Sequence, residues 1–400
     1  MDEFIIINNK KYNINSWKKT HPGGDVFKNF IGQDCTAIFN AYHNTDDKNI
    51  NKILNILYLE KDEKNVITDI DKDYIKLNEL FRNKGFYEIN QVYYFKKLIW
   101  LALLFLGTLY FNGSIDIVSG CLFGLLIQQS AFIGHDIGHN SVLHKTSGVF
   151  NSKYKNWWAL LFGNILFGVD GLNWSDNHNE HHYMSCVPGK DPQNDHLPFI
   201  LYKKRELDIT GYKLNLANKL LLRLQWLYIL PILFTVGKIN IMLDIDNRRL
   251  ITDRQFIRIG GIILHILLWI YLTLNSGNKG YFIACALFFN GMIHLQIILS
   301  HAFMPRTTME EIFDNGWVKS QAITTVNIKT SWYDEWFHGG LQYQYDHHLF
   351  PKIPRHNLKL IQPYILDFCK KHNITYNTMT FREAIYNLVY SLYIEARKVE

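Results

Sequence analysis

A chain of 400 residues that is 48% hydrophobic, 15% aromatic and only 20% charged is neither disordered nor fibrous. Its net charge of +6 is small, and its Lys and Arg form no basic stripe interleaved with aromatics, so the composition argues against a nucleic-acid partner. The five cysteines lie far apart with no CxxC pair, which argues against a disulfide framework or a thiolate metal site. The opening MDEFIII carries acidic residues where a secretory signal needs basic ones. What stands out is 17 histidines, and they cluster.

Residues 1–60 are polar and read as a small soluble α+β domain. Phe4–Ile7 and Lys11–Ile14 form an expected strand pair about the turn Asn8-Asn9-Lys10. Residues 61–92 are charged and read as a linker with one short helix around Tyr74–Phe81. Apolar runs follow, so residues 93–400 are expected to form an all-α integral membrane domain. Leu98–Phe111 and Ile115–Gly134, joined at Asn112-Gly113-Ser114, read as one membrane hairpin. Phe256–Leu274 and Tyr281–Phe303, joined through 275–280, read as a second. The connecting loops hold a single basic residue, Lys279, while the other flanks hold many. The positive-inside rule therefore puts the loops away from the cytosol. Trp157–Val169 is short, and Leu220–Leu243 is broken by Arg223, Pro231 and Gly237. Both are expected to lie in the membrane interface.

Three histidine boxes sit beside these runs. His135 and His139 are spaced i, i+4 where the second span ends. His178, His181 and His182 share one helix face, and Gln344, His347 and His348 repeat that spacing with Gln in the first place. Many imidazoles with few boxed carboxylates suit iron, zinc or copper. Seven boxed histidines exceed what one catalytic zinc takes, about three protein ligands, so two metals are implied. His301, at the end of the fourth span, is the candidate eighth imidazole. Asp136, Glu180 and Asp346 are candidates to orient ligands by accepting a ring N–H, with a structural role equally open. His265 and His294 lie inside spans, as substrate-path or packing residues. His144 and His338 lie near the boxes without an assigned role.

His21-Pro22-Gly23-Gly24-Asp25, followed by Ala41-Tyr42-His43, resembles cytochrome b5, whose two axial histidines clamp haem. The resemblance makes His21 and His43 the haem b ligands. Two imidazoles leave no open iron position, which suits electron transfer. Phe27, Phe30, Ile38, Phe39 and Leu54 are expected to form the crevice.

The combination of that domain with HDIGH, HNEHH and QYDHH resembles the front-end membrane desaturases, fatty-acyl and sphingoid-base enzymes alike. The resemblance runs over nearly the whole chain. It takes in Asp191-Pro192, Leu197-Pro198-Phe199, the Trp336–Leu341 segment and His347–Pro351 with Pro354-Arg355-His356-Asn357. It implies a multi-pass protein of the endoplasmic reticulum with termini and boxes cytosolic. It also implies two irons held by His135, His139, His178, His181, His182, His301, Gln344, His347 and His348. The implied partners are O₂, a lipid acyl substrate, membrane lipids and an NADH-cytochrome b5 reductase. Trp174, Trp332 and Trp336 are candidates for the substrate mouth, with an interfacial aromatic belt the preferred reading. A sphingoid-base (delta-8) desaturase, a lipid hydroxylase using the same centre and a membrane haem protein that only carries electrons remain the alternatives.

Overall fold

The computed structural model describes residues 3–18, 20–21, 23, 26–63, 67–143, 149–235, 250 and 254–399. His144 and the end of the Leu220–Leu243 run lie outside the described residues.

The N-terminal strands form as expected, β1 at Phe4–Ile7 and β2 at Lys10–Asn13, paired antiparallel with Ile5 opposite Tyr12. Asn8 and Asn9 take positive φ in the turn, the left-handed region that Asn tolerates. A third strand, β3 at Tyr58–Lys61, completes the sheet against β2; its run YLEK carries no alternation to reveal it. Between β2 and β3 lie α1 (Thr36–Tyr42) and α2 (Lys48–Leu57).

Helix α3 (Asp69–Asn83) is longer than the short helix expected there. Thr68 caps it, and Asp69 and Asp71 sit in its first turn, where acids suit the helix dipole. Its buried face holds Tyr74, Leu77 and Phe81. Tyr74 donates to the Leu349 carbonyl at 2.6 Å, and Arg82 donates to the His43 carbonyl at 3.2 Å. The expected connector is thus wedged between the haem-motif helix and the third histidine box. One apolar core runs through both regions, joining Ile5, Ile38 and Tyr42 to Tyr183, Trp317 and Phe350.

Among the described residues, four helices are long and apolar enough to cross a membrane: α4 (Gln91–Phe111), α5 (Asp116–Gly138), α11 (Phe256–Asn275) and α12 (Lys279–Leu299). The first run reaches spanning length because Gln91–Lys97, aromatic and basic, continues the helix toward the interface. The two hairpin turns meet. Asn112 donates to the Leu272 carbonyl and to Ser276 Oγ, both at 3.0 Å, and the Asn278 amide donates to Asp116 Oδ2. Helices α5 and α12 pack directly. A Cβ on Gly120 or Gly124 would lie 2.4 or 2.5 Å from the Phe282 or Ala286 carbonyl oxygen, so only glycine lets these backbones approach.

The two interfacial expectations are refined. Trp157–Val169 is α6 (Lys155–Ala159) continuing as a π-helix over Leu160–Phe167, packed against α5 and α11 with Phe162, Asn164 and Phe167 buried. One side of it packs into the bundle, while Trp157 at its start stays 64% exposed. The second run forms α9 (Leu216–Arg223) and α10 (Gln225–Phe234), bent by 78° where one meets the other. That is the geometry of a broken or re-entrant span.

Candidate metal centre

The three boxes occupy helix ends that converge. His135 and His139 close α5. The second box occupies the last turns of α7 (Gly171–Tyr183), whose N-cap is Asp170. Arg258, from the first turn of α11, holds that cap, with Nε 3.1 Å from Asp170 Oδ1 and Nη2 2.9 Å from Asn173 Oδ1. Ser175 donates to the Gly138 carbonyl at 2.7 Å and locks α7 onto the end of α5. The third box is the short helix Gln344–Leu349, buried throughout.

Two groups of imidazoles result. His135, His139, His178, His182 and His347 bring one ring nitrogen each within 4.8 Å of the others, and His181, His301 and His348 do the same. His301 lies just past the end of α12, so the loop rather than the span presents it. Gln344 Nε2 lies 3.0 Å from His301 Nε2 and 2.9 Å from His348 Nε2. The two ends of an amide are nearly isosteric, so its carbonyl oxygen reaches the same spot as a donor to a cation.

The residues fit metal. His135 Nε2, His139 Nε2, His182 Nδ1 and His347 Nε2 are buried with no hydrogen-bond partner among the described residues. Each would cost about 1–3 kcal/mol if left so; a shared cation satisfies the three Nε2 atoms, and His182 brings its Nε2 to the same group, 3.3 Å from His178 Nε2. Burial, reinforced by the neighbouring imidazoles, holds His139, His178, His182, His347 and His348 well below the usual histidine range. His301 is pushed down to about 3, again chiefly by burial. Neutral imidazole is the form that binds metal. The two groups contain neither thiolate nor carboxylate, a donor set for first-row transition metals rather than magnesium or calcium.

The far ring nitrogens are tied, which turns the free nitrogen toward the centre. His181 Nδ1 lies 2.9 Å from Asp191 Oδ2, and His178 Nδ1 lies 2.7 Å from Gln193 Oε1. His139 Nδ1 faces Asn179 Oδ1 at 3.1 Å. His348 Nδ1 faces Gln321 Oε1 at 2.7 Å, and His301 Nδ1 the Thr324 carbonyl at 3.0 Å. Burial alone would raise the Asp191 carboxyl. His181, Asn194 and the Cys186 amide outweigh it and take it down to about 2.

Two of the expected orienting carboxylates serve elsewhere. Asp136 accepts from Tyr94 at 2.8 Å and pairs with Arg355 Nε at 3.0 Å, while its own neighbour His135 is 3.9 Å away. Asp346 is bonded by Asn327 and Tyr376. Adjacent helix positions point about 100° apart, so a carboxylate next to a ligand turns away from it. Sequence reading missed Asn179, Gln193 and Gln321, and quoted Asp191 without an orienting role. None of the four is marked by helical spacing to the ring it holds; Asn179 lies within box two, yet its ring is His139 of box one.

The other flagged histidines pack. His265 Nδ1 meets the Ile165 carbonyl at 3.0 Å and its Nε2 accepts from Trp269 at 3.1 Å. His338 stands over Phe381 and beside Gln296. His294 lies 6.3 Å from Phe167, ring to ring. None of the three joins either imidazole group.

Beside the imidazoles opens a narrow apolar cavity of about 70 Å³, walled by Phe132, Phe162, Phe167, Trp174, Ile293 and Ile297, with His135, His178, His181, His301 and Gln344 along one side. Trp174 stacks on His178 at 4.5 Å and is part of the wall. Trp332, 86% exposed, and Trp336, 42% exposed, are not; they stand outside as a belt would.

In the N-terminal domain the His21 and His43 rings face each other with centroids 6.0 Å apart. His43 Nδ1 lies 3.1 Å from the Phe39 carbonyl, leaving Nε2 for iron, and Phe39 stacks on the ring at 4.4 Å. Phe27 meets His21 edge-on at 4.8 Å. A Cβ on Gly23 would sit 3.0 Å from the His21 ring, so a side chain there would have to push the imidazole aside. Burial pushes His43 down to about 4 and lowers His21. Both imidazoles are neutral at neutral pH and fit the ligand pair of a bis-imidazole haem. Phe30, expected in the crevice, instead packs edge-on against Tyr183 and Phe313.

The fatty acid desaturase family model matches residues 99–380, and that of the cytochrome b5-like haem/steroid binding domain matches residues 2–76. The chain is 32% identical to an acyl-lipid (9-3)-desaturase of Borago officinalis, over 96% of this chain and 88% of the relative. It is 31% identical to a delta(8)-fatty-acid desaturase of the same plant, over the same shares. It is 25% identical to a delta 8-(E)-sphingolipid desaturase of Komagataella phaffii, over 94% of this chain and 88% of that one.

Proposed function

From the premise that the chain belongs to the fatty acid desaturase family and carries a cytochrome b5-like domain, we propose that it is a self-sufficient front-end desaturase of lipid acyl chains. In this reading His135, His139, His178, His182 and His347 hold one iron, and His181, His301, His348 and Gln344 a second. His21 and His43 hold haem b. The observation that carries it is the pair of buried imidazole groups along the wall of an apolar cavity.

Each part of the chain then has a task. The aromatic and aliphatic wall takes a hydrocarbon chain out of water, and Trp174 fixes the ring of His178 beside it. Asp191, Gln193, Asn179 and Gln321 hold their imidazoles at one tautomer and one angle. An unactivated methylene is beyond any acid–base group in the cavity, and two irons with O₂ would supply the oxidising power. The haem domain receives electrons singly from an NADH-linked reductase. Residues 1–60 carry the haem, 93–400 the membrane enzyme, and 61–92 join them. Termini and boxes face the cytosol from the endoplasmic reticulum membrane.

Expression in yeast with a panel of fatty acids, followed by analysis of acyl and sphingoid products, tests the reading. A new double bond in an acyl chain is the expected result. A double bond confined to the sphingoid base would select the sphingolipid branch, and a hydroxylated product would overturn desaturation.

A further inference from the structure

We propose that Tyr42 and Tyr183 form the electron bridge between the two redox centres, a ring-to-ring contact linking haem ligand His43 to iron ligand His182. The inference rests on the desaturase reading above.

Two helix ends meet here. Helix α1 finishes at Tyr42, with His43 as its C-cap, and α7 finishes at Tyr183, directly after His182. The phenol rings lie edge to face, centroids 4.8 Å apart and planes at 69°. Each residue is only 8% exposed, inside the core that unites the two regions. From one imidazole to the other the path is covalent except for that single van der Waals contact. Edge-to-face contact is the favoured packing of two aromatic rings, so the junction is held without a hydrogen bond. Tyr42 Oη makes none among the described residues, so what this residue gives the junction is its ring.

The step moves one electron. Ferrous haem becomes ferric, one ferric non-haem iron becomes ferrous, and no bond forms or breaks. A nicotinamide-linked flavoprotein, the reductase of the proposed function, re-reduces the haem. The chain thus keeps electron delivery internal, through a domain interface that stays packed, rather than relying on encounters with a free carrier.

The experiment uses the full-length enzyme carrying haem and iron, reduced anaerobically and then mixed with O₂ and an acyl substrate. Haem reoxidation is followed by absorbance. In Tyr42→Leu and Tyr183→Leu the reoxidation rate is expected to fall roughly ten- to a hundredfold, the scale on which small misplacements slow a positioned reaction. The haem spectrum, the rate of haem reduction by reductase and the non-haem iron content should hold. Tyr42→Phe and Tyr183→Phe keep the rings and should keep the rate. Tyr42→Leu leaves box two untouched, so it reports even if Tyr183→Leu loses iron. Leu variants that reoxidise at the wild-type rate overturn the bridge, as do Phe variants as slow as Leu. Slowing in Tyr74→Phe alone would move the route to the hydrogen bond at Leu349. A wild-type haem that O₂ and substrate do not reoxidise would instead sink the desaturase reading.

Discussion

Ring nitrogens that face away from the metal centre are held by side chains lying between ten and forty residues from their histidines, and Asp191 is the strongest of these holders. It accepts from His181 Nδ1 and is itself braced by Asn194 and the Cys186 amide. Asp191→Ala frees the His181 ring to turn, so metal affinity at the three-histidine group should fall roughly ten- to a hundredfold. Asp191→Asn still accepts the ring N–H and should lose less. Non-haem iron per chain, measured against a competing chelator, checks both. Gln344 sits between His301 and His348, where a histidine would complete an H-x-x-H-H box. Gln344→Ala should leave the haem spectrum intact while desaturation is lost. Gln344→His should keep part of the activity if ligation is the role. An Ala variant with wild-type turnover would remove Gln344 from the iron site.

Helix contacts set where those residues stand. The box at the end of α5 is placed by the packing of α5 on α12, and that packing depends on absent side chains. Gly124→Val would drive a branched side chain into the Ala286 carbonyl, costing about 1–3 kcal/mol, and should lower the melting temperature in detergent. Gly260, on α11, has nothing within 4 Å of an added Cβ, so Gly260→Ala should melt as the parent does. The buried Arg306–Glu206 pair, 2.6 Å apart, works similarly on the loop after α12. Arg306 also donates to the His301 carbonyl at 3.2 Å, so Arg306→Met should cost both fold stability and the His301 position.

At the scale of the whole molecule, the cytochrome b5-like region and the membrane region share one core, yet the proposed haem ligands and the two imidazole groups are separate residues. His21→Ala or His43→Ala should abolish the bis-imidazole haem spectrum while membrane insertion and non-haem iron persist. A variant that keeps the spectrum and turnover would overturn that ligand assignment. The two hairpin turns lie together at one end of the bundle, and the boxes lie at helix ends away from them. With the turns on the far side, a glycosylation acceptor inserted near His178 should stay unmodified in the endoplasmic reticulum. Modification there would place box two in the lumen.

Strong local periodicity made much of this molecule legible in one dimension. The four long helices, the first strand pair, the three boxes and the pair His21 and His43 are all local signals, because a span, a hairpin turn or an i, i+4 pair is settled within a few residues. The same locality explains the misses. Strand β3 and the pair Asn327–Lys329 with Thr378–Thr380 are three or four residues long and exist only through a distant partner. Which imidazoles share a group was beyond sequence spacing, since His181 leaves its neighbour His182 to join His301 and His348. That sorting is decided by the direction each ring takes when four chain segments meet, as are the choice of Asp191 over Asp136 and the meeting of Tyr42 with Tyr183. Residue type and local period determined which groups are present; only the packed tertiary structure decided which of them face one another.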